Sequence, residues 1–220
     1  GRDISRLSQR ERQLEVTNRF LRHNIRNKLT TIQGYATLVS EADDEQMRSY
    51  AAPITRAATE VEETAEMARN IHELIERDPS PATVDLVEKL NRAIGLARDR
   101  YPDADITTDI PNSADVTSLA SLDEALAELL AILLGSATSA HVSLDGAGTD
   151  GDTAAVTIQA TDGAVSPVEQ EVLTGDIDID QTKHARGLGV WYVYWHVWYS
   201  GGRIETTSDG DCVHVYLPLA

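Results

Sequence analysis

Two stretches, residues 5–39 and 45–77, place an apolar side chain at every third or fourth position. In the first, Leu7, Leu14 and Leu21 recur at intervals of seven, and Ile25, Leu29, Ile32 and Ala36 continue the stripe. No proline occurs there, and no glycine comes before Gly34. In the second, Met47, Ile54, Val61, Ala68 and Ile75 mark the heptad, with Ala51, Ala58 and Ala65 between them. The polar turn Glu41-Ala-Asp-Asp-Glu45 joins the two. This periodicity predicts two amphipathic helices folded into an antiparallel hairpin. A lone hairpin cannot cover its own stripe, so the pattern also predicts a homodimer that closes a four-helix bundle.

Asp78-Pro-Ser-Pro81 stops the helical pattern, since the residue before a proline disfavours helix. The expected domains are therefore 1–80, helical, and 81–220, mixed α/β, giving an α+β chain. Strands are expected at 82–86, 105–110, 114–117, 141–144 and 154–160. The strands at 105–110 and 114–117 flank the turn Pro111-Asn-Ser. Helices are expected at 87–100, at 119–136 with Ser118 as a possible cap, and at 188–200. A final hairpin, 203–207 with 213–217, turns at Ser208-Asp-Gly-Asp211.

The formal charge of −17 argues against a nucleic-acid partner, which requires a basic face. Lys28, Lys89 and Lys183 are the only lysines. An acid-rich, lysine-poor chain suits a very salty cytosol, where self-repulsion is screened within a few ångströms. This points to a cytoplasmic, halophilic, archaeal protein. The lone Cys212 allows no intrachain disulfide. No apolar run reaches the roughly 18–20 residues that span a bilayer, and no signal peptide is visible.

The segment Leu21-Arg-His-Asn-Ile-Arg-Asn-Lys-Leu29 resembles the H-box of sensor histidine kinases, in the His-Asn-x-Arg-Asn form common among haloarchaeal members. His23 lies about 200° round the helix from Leu21, away from the apolar stripe. A histidine alone on a helix is ordinarily a solvated surface residue; the flanking motif sets this one apart. The resemblance makes His23 the phosphoacceptor, a neutral imidazole being nucleophilic near pH 7. Arg22, Arg26 and Lys28 supply positive charge around it. Asn24 stands where many members carry an acid, and it could still fix the imidazole tautomer. Asn27, one turn on, holds the position that helps place a water for dephosphorylating the partner. The stretch from Asp3 is similar to the exit from a PAS-type sensor domain.

The order of elements after residue 82 resembles the GHKL-type (Bergerat) ATP-binding domain of the same family. Lys183-His-Ala-Arg-Gly-Leu-Gly-Val is similar to its second glycine box, with Gly187 and Gly189 matching and Ala185 replacing a glycine. Glycines opening a helix let backbone N–H groups approach phosphate oxygens, and Lys183 and Arg186 could add charge. In the first glycine box, the alternation Val156, Ile158, Ala160 continues to Asp162, which places Asp162 at the adenine-binding aspartate. The other register makes Gly163 the family glycine and leaves Thr161 at the aspartate position. In the helix Ala125–Leu134, Glu128 matches the first polar position of the family's N-box. Ile132 stands where the family has the asparagine that ligates Mg²⁺, and it offers no oxygen. The segment 166–186 is long enough for a nucleotide lid. Its acids read as a solvated loop, and no metal is assigned to them.

The resemblance thus implies a protein-histidine kinase that autophosphorylates His23 from ATP and passes the phosphoryl group to a response-regulator receiver domain. The alternative is a degenerate signalling scaffold or phosphotransfer module, with weak or Mg²⁺-independent nucleotide binding.

Overall fold

The computed structural model describes residues 21, 25–39, 44–76, 80–145, 151–176 and 187–220. The chain divides into two compact units, Gly1–Arg77 and Asp78–Ala220.

The first unit is a helical hairpin. Helix α1 covers residues 25–39 and α2 covers Asp44–Glu76, with Pro53 inside it. Each helix keeps part of its expected stripe in the seam, Ile25 and Ile32 in α1 and Val61, Ala68 and Ile75 in α2, and leaves the rest of the stripe exposed. In α1 the partly buried positions are Ile25, Lys28, Ile32, Tyr35 and Val39, while Leu29 and Ala36 are exposed. In α2 the seam runs through Ala57, Val61, Thr64, Ala68, Ile71 and Ile75, while Ala51, Ala58 and Ala65 are exposed. Both sets step by fours and threes, so periodicity alone cannot choose between them. Pairing between the helices does choose. Tyr35 meets Tyr50 with ring centroids 6.2 Å apart, and Lys28 forms an ion pair with Glu60.

The second unit begins with β1 (Ala82–Asp85) and α3 (Leu86–Arg100). The Asp85 carboxylate caps α3 by accepting the Glu88 N–H at 3.0 Å. Next come β2 (Asp105–Asp109), β3 (Asp115–Ser118), α4 (Leu122–Leu134), β4 (Ser139–Asp145) and β5 (Thr153–Thr161). They are followed by α5 (Pro167–Thr174), α6 (Leu188–Tyr199), β6 (Arg203–Thr206) and β7 (Cys212–Pro218). Five strands form a sheet in the order β2-β4-β5-β7-β6, in which only β2 and β4 are parallel. Register aligns Val142, Ile158 and Val213 across the sheet, and Leu144, Val156 and Val215 beside them. All six are buried, whereas Thr157 and His214 pair on the opposite face at 2.9 Å. A sheet apolar on one face demands a cover on that face. Helix α4 contacts β4 and β5, α6 contacts β6, and α3 packs on α4. The fold is α+β, a helical hairpin followed by an α/β unit.

Three sequence expectations give way here. The strands around Pro111 do not form a hairpin. β2 joins the large sheet, while β3 pairs antiparallel with β1. Ser118 is no helix cap: it ends β3, buried, with its hydroxyl 3.0 Å from that of Ser200, and α4 starts after Ser121. The segment after Ser166 is not all loop. Ser166 and Glu169 form a reciprocal capping box, Pro167 opens α5, and Gly175 closes it with φ 77°. Glu169, expected as a solvated acid, is buried in that box.

Candidate functional site

Helices α4 and α6 meet along a seam of polar side chains. The Ser121 hydroxyl lies 3.2 Å from His196 Nε2, the Tyr192 hydroxyl donates to Glu124 at 3.3 Å, and Glu128 lies against Gly189. The contacts climb α4 as they descend α6, so the helices run antiparallel. The inner end is closed: the buried Ser200 hydroxyl accepts the Leu119 N–H at 3.2 Å. His196 is fully buried, and burial pushes its imidazole down from 6.5 to about 4, with Lys89 adding to the fall and Asp123 opposing it. Burial likewise raises the Tyr192 hydroxyl, with Glu124 adding to the rise. Asp123 itself is held by Lys89 at 2.9 Å and Arg92 at 3.4 Å, which ties α3 to α4.

The outer end of the seam carries the candidate site. Gly187 is the N-cap of α6 and, having no side chain, makes no side-chain hydrogen bond to its first turn. The Glu128 carboxylate reaches this turn from α4. A Cβ on Gly189 would overlap that carboxylate, with Cδ only 2.7 Å away, so this close approach depends on the glycine. An anion is favoured there by the helix dipole. Arg100, in the last turn of α3, places Nη1 3.5 Å from the other Glu128 oxygen. Tyr101 donates its hydroxyl to the Ala131 carbonyl at 3.2 Å. Ile132, one turn beyond Glu128, is partly exposed on the same helix.

Asp162 and Gly163 form the turn after β5. The alternation that suggested Asp162 stops one residue before it: β5 ends at Thr161, and Asp162 is exposed in the left-handed region at φ 59°. Its side chain therefore does not continue the inward register of Val156, Ile158 and Ala160. Gly163 packs on Ala137 just past α4. A Cβ there would fall 2.6 Å from the Ala137 Cβ and 2.7 Å from its backbone nitrogen. The Ser136 hydroxyl also donates to the Ala164 carbonyl at 3.4 Å. The turn is thus tied to the C-terminal end of α4. A cleft of about 330 Å³ lies where the chain enters β2 and β4, lined by residues 100–104, Ala137 and Thr138.

Of the residues singled out from sequence, Glu128 and Gly189 are in direct contact, Gly187 caps the same turn, and Gly163 reaches α4 through Ala137. Asn27 lies exposed on α1 in the other unit. His23, Asn24, Lys183 and Arg186 lie outside the described residues. Sequence reasoning missed Arg100, because a basic residue in a last helical turn looks like ordinary dipole pairing. Among the described residues no cluster of His, Cys, Asp or Glu could hold a metal ion, and no helix is long and apolar enough to cross a membrane. The residues present do not suit Mg²⁺ at the N-box: Ile132 has no oxygen, and Glu128 already faces a guanidinium.

A helical hairpin followed by a one-faced sheet covered by helices is the architecture of the histidine kinase core, with its dimerisation hairpin and GHKL-type catalytic domain. Solved structures share it. The Acinetobacter baumannii histidine kinase AdeS superposes with a TM-score of 0.62 at 14% identity, over 90% of this chain and 97% of that one. The mycobacterial sensor histidine kinase MprB gives 0.51 at 21% identity, over 63% of this chain and 97% of that one. A bacterial phosphotransferase gives 0.51 at 17% identity, over 93% of this chain and 95% of that one. At these identities the likeness is one of fold. No protein-family model and no curated protein matches the sequence.

Proposed function

We propose that this chain is the core of a sensor histidine kinase acting in a two-component phosphorelay. The observation that carries the reading is the meeting of Glu128 with the glycine-opened first turn of α6, within a fold shared with histidine kinases. In this reading the cleft beside α4 takes ATP, with the phosphates toward Gly187 and Gly189, helped by Lys183 and Arg186, and the base toward the Asp162–Gly163 turn. The His23 imidazole nitrogen bonds to the γ-phosphorus as the bond to the ADP oxygen breaks, and the ring proton passes to solvent. Glu128 and Asn24 orient the acceptor. The phosphoryl group then moves to an aspartate of a response-regulator receiver domain, and Asn27 positions water for its later removal. A PAS-type sensor is the upstream partner we expect, and a haloarchaeal cytosol the setting.

The reading includes a homodimer. Leu29 is exposed with Ala36 on one flank of α1, and Met47 with Ala51, Ala58 and Ala65 on one flank of α2, apolar surface that a second copy would cover.

The test is incubation with γ-labelled ATP and Mg²⁺ in molar KCl. Acid-labile, alkali-stable label lost in His23→Gln supports the kinase. Label that persists in that variant removes the assignment. Ile132 favours a second reading, a phosphotransfer or phosphatase module with little autokinase activity. It predicts no label from ATP, but acceleration of receiver dephosphorylation that Asn27→Ala slows.

A further inference from the structure

We infer that the ion pair between Lys28 and Glu60 is a positioning device for the phosphoacceptor helix: it fixes the rotation of α1 on α2 and so aims His23 and Asn27. The inference rests on the kinase reading above and concerns how the hairpin presents its acceptor.

Helix α1 has two neighbouring flanks on which it can meet α2. The one it uses runs through Ile25, Lys28, Ile32, Tyr35 and Val39; the more apolar one runs through Ile25, Leu29, Ile32 and Ala36. Their centre lines lie roughly 50° apart at 100° per residue. Apolar burial alone favours the second, which takes Leu29 in and leaves a lysine and a tyrosine out. Helix α1 nevertheless turns Lys28 onto Glu60 of α2 and leaves Leu29 exposed. The Tyr35–Tyr50 contact, two turns on, holds the same flank. A partly buried ion pair of this kind adds little stability, but it admits one partner and one phase, as a polar residue in a coiled-coil seam does. Contact and partial burial also limit its screening by salt. Asn27 immediately precedes Lys28 and stands exposed while Lys28 points into the seam. His23 lies five residues before Lys28 and turns with it on the continuous helix that the sequence predicts. A rotation of about 50° carries a side-chain tip on a helix of this radius through roughly 5 Å. Phosphoryl transfer tolerates far less, since a misplacement of about 1 Å already costs on the order of a hundredfold. The charge of Lys28 is thus committed to Glu60, and it acts on the acceptor through the helix rather than on the phosphoryl group.

The experiment follows labelling of His23 in the full chain from two donors. One is γ-labelled ATP with Mg²⁺. The other is labelled phosphoramidate, whose P–N bond breaks with loss of ammonia as the imidazole nitrogen bonds to phosphorus. Lys28→Glu and Glu60→Lys each set like charges against one another across the seam. Each should slow labelling from ATP tenfold or more with KM for ATP unchanged, and the two together in one chain should restore it to within about threefold. Lys28→Arg should label as wild type does. Phosphoramidate should label all of these chains alike, because it needs an accessible imidazole but no aim. If Lys28 acted directly on the phosphoryl group, the exchanged chain would stay as slow as Lys28→Glu, and the inference would be overturned. It is overturned equally if either single variant labels normally from ATP, or if a single variant loses labelling from both donors together, as a merely structural pair would require. Wild type that takes no label from ATP removes the kinase reading itself, and this inference with it.

Discussion

The hairpin and the α/β unit leave their apolar side chains in different conditions. In the α/β unit, α4 buries Leu122, Leu126, Leu129, Leu130 and Leu133 almost completely, and β4, β5 and β7 bury their inner faces. Leu96 and Trp198 are its only large apolar residues that stand exposed among those described. The hairpin, with far fewer described residues, exposes Leu29, Leu38 and Met47. Its fully buried side chains, Ile71 and Ile75, sit in the last turns of α2. A layered unit can close a core around a sheet, whereas two helices have only one seam between them and must leave a flank uncovered. One unit closes its core within a single copy, and the other leaves apolar side chains exposed.

All three tryptophans, Trp191, Trp195 and Trp198, lie in α6, so fluorescence reports on the α/β unit alone. Leu133→Ala should destabilise the fluorescence-detected transition most, by roughly 2–5 kcal/mol in urea, because the side chain is fully buried. A shift under about 1 kcal/mol would mean that the core is not closed as described.

The pH dependence comes next. The folded His196 imidazole titrates at about 4 against 6.5 for the ordinary group. Its folded value is depressed, so the stabilising contribution is full above pH 6.5 and is lost as pH falls toward 4. The unfolded chain takes up a proton there that the native state refuses. The loss across this window is roughly 3 kcal/mol at 1.36 kcal/mol per unit. His196→Gln should flatten the difference by one proton, measured as the slope of stability against pH in the fluorescence transition. An unchanged slope would remove His196 as its source.

Gly163→Ala should cost about 1–3 kcal/mol by forcing a Cβ onto Ala137. Ala137→Gly in the same chain should recover part of that cost. A lack of coupling between the two would show that the turn after β5 is not tied to α4.

The smallest effect on the fluorescence transition belongs to the hairpin. Leu29→Ala, at a side chain 46% exposed, should move it by less than about 0.5 kcal/mol. The same variant should weaken self-association, read by sedimentation at high salt. A shift as large as that of Leu133→Ala would erase the contrast between the units, and a wild-type monomer would remove the need for a covering copy.

Much of the fold was legible because it follows from local rules. The strand at 154–160 alternates in sequence and in burial. Helix α5 has a local signal too: Ser166-Pro-Val-Glu169 is a capping box followed by a short amphipathic run, although by composition alone its acids read as a solvated loop. Glu128 and the glycines of α6 could be picked out by type and spacing, yet their contact joins residues sixty-one positions apart and has no local signal. The alternation that points to Asp162 ends at that residue's own left-handed backbone.

By itself, the sequence determined the elements and their order, through the periodicity of apolar residues, the prolines that end helices, and the glycines that open α6. Each of those signals acts within a few residues, where backbone sterics and hydrogen bonding decide the outcome. Tertiary structure alone decided which flank of each heptad stripe is buried and that β2 and β3 belong to different sheets. It also set Arg100 beside Glu128 at the first turn of α6. These outcomes depend on which surfaces meet, and a flank, an edge or a carboxylate acquires its role only when a distant element arrives to cover it.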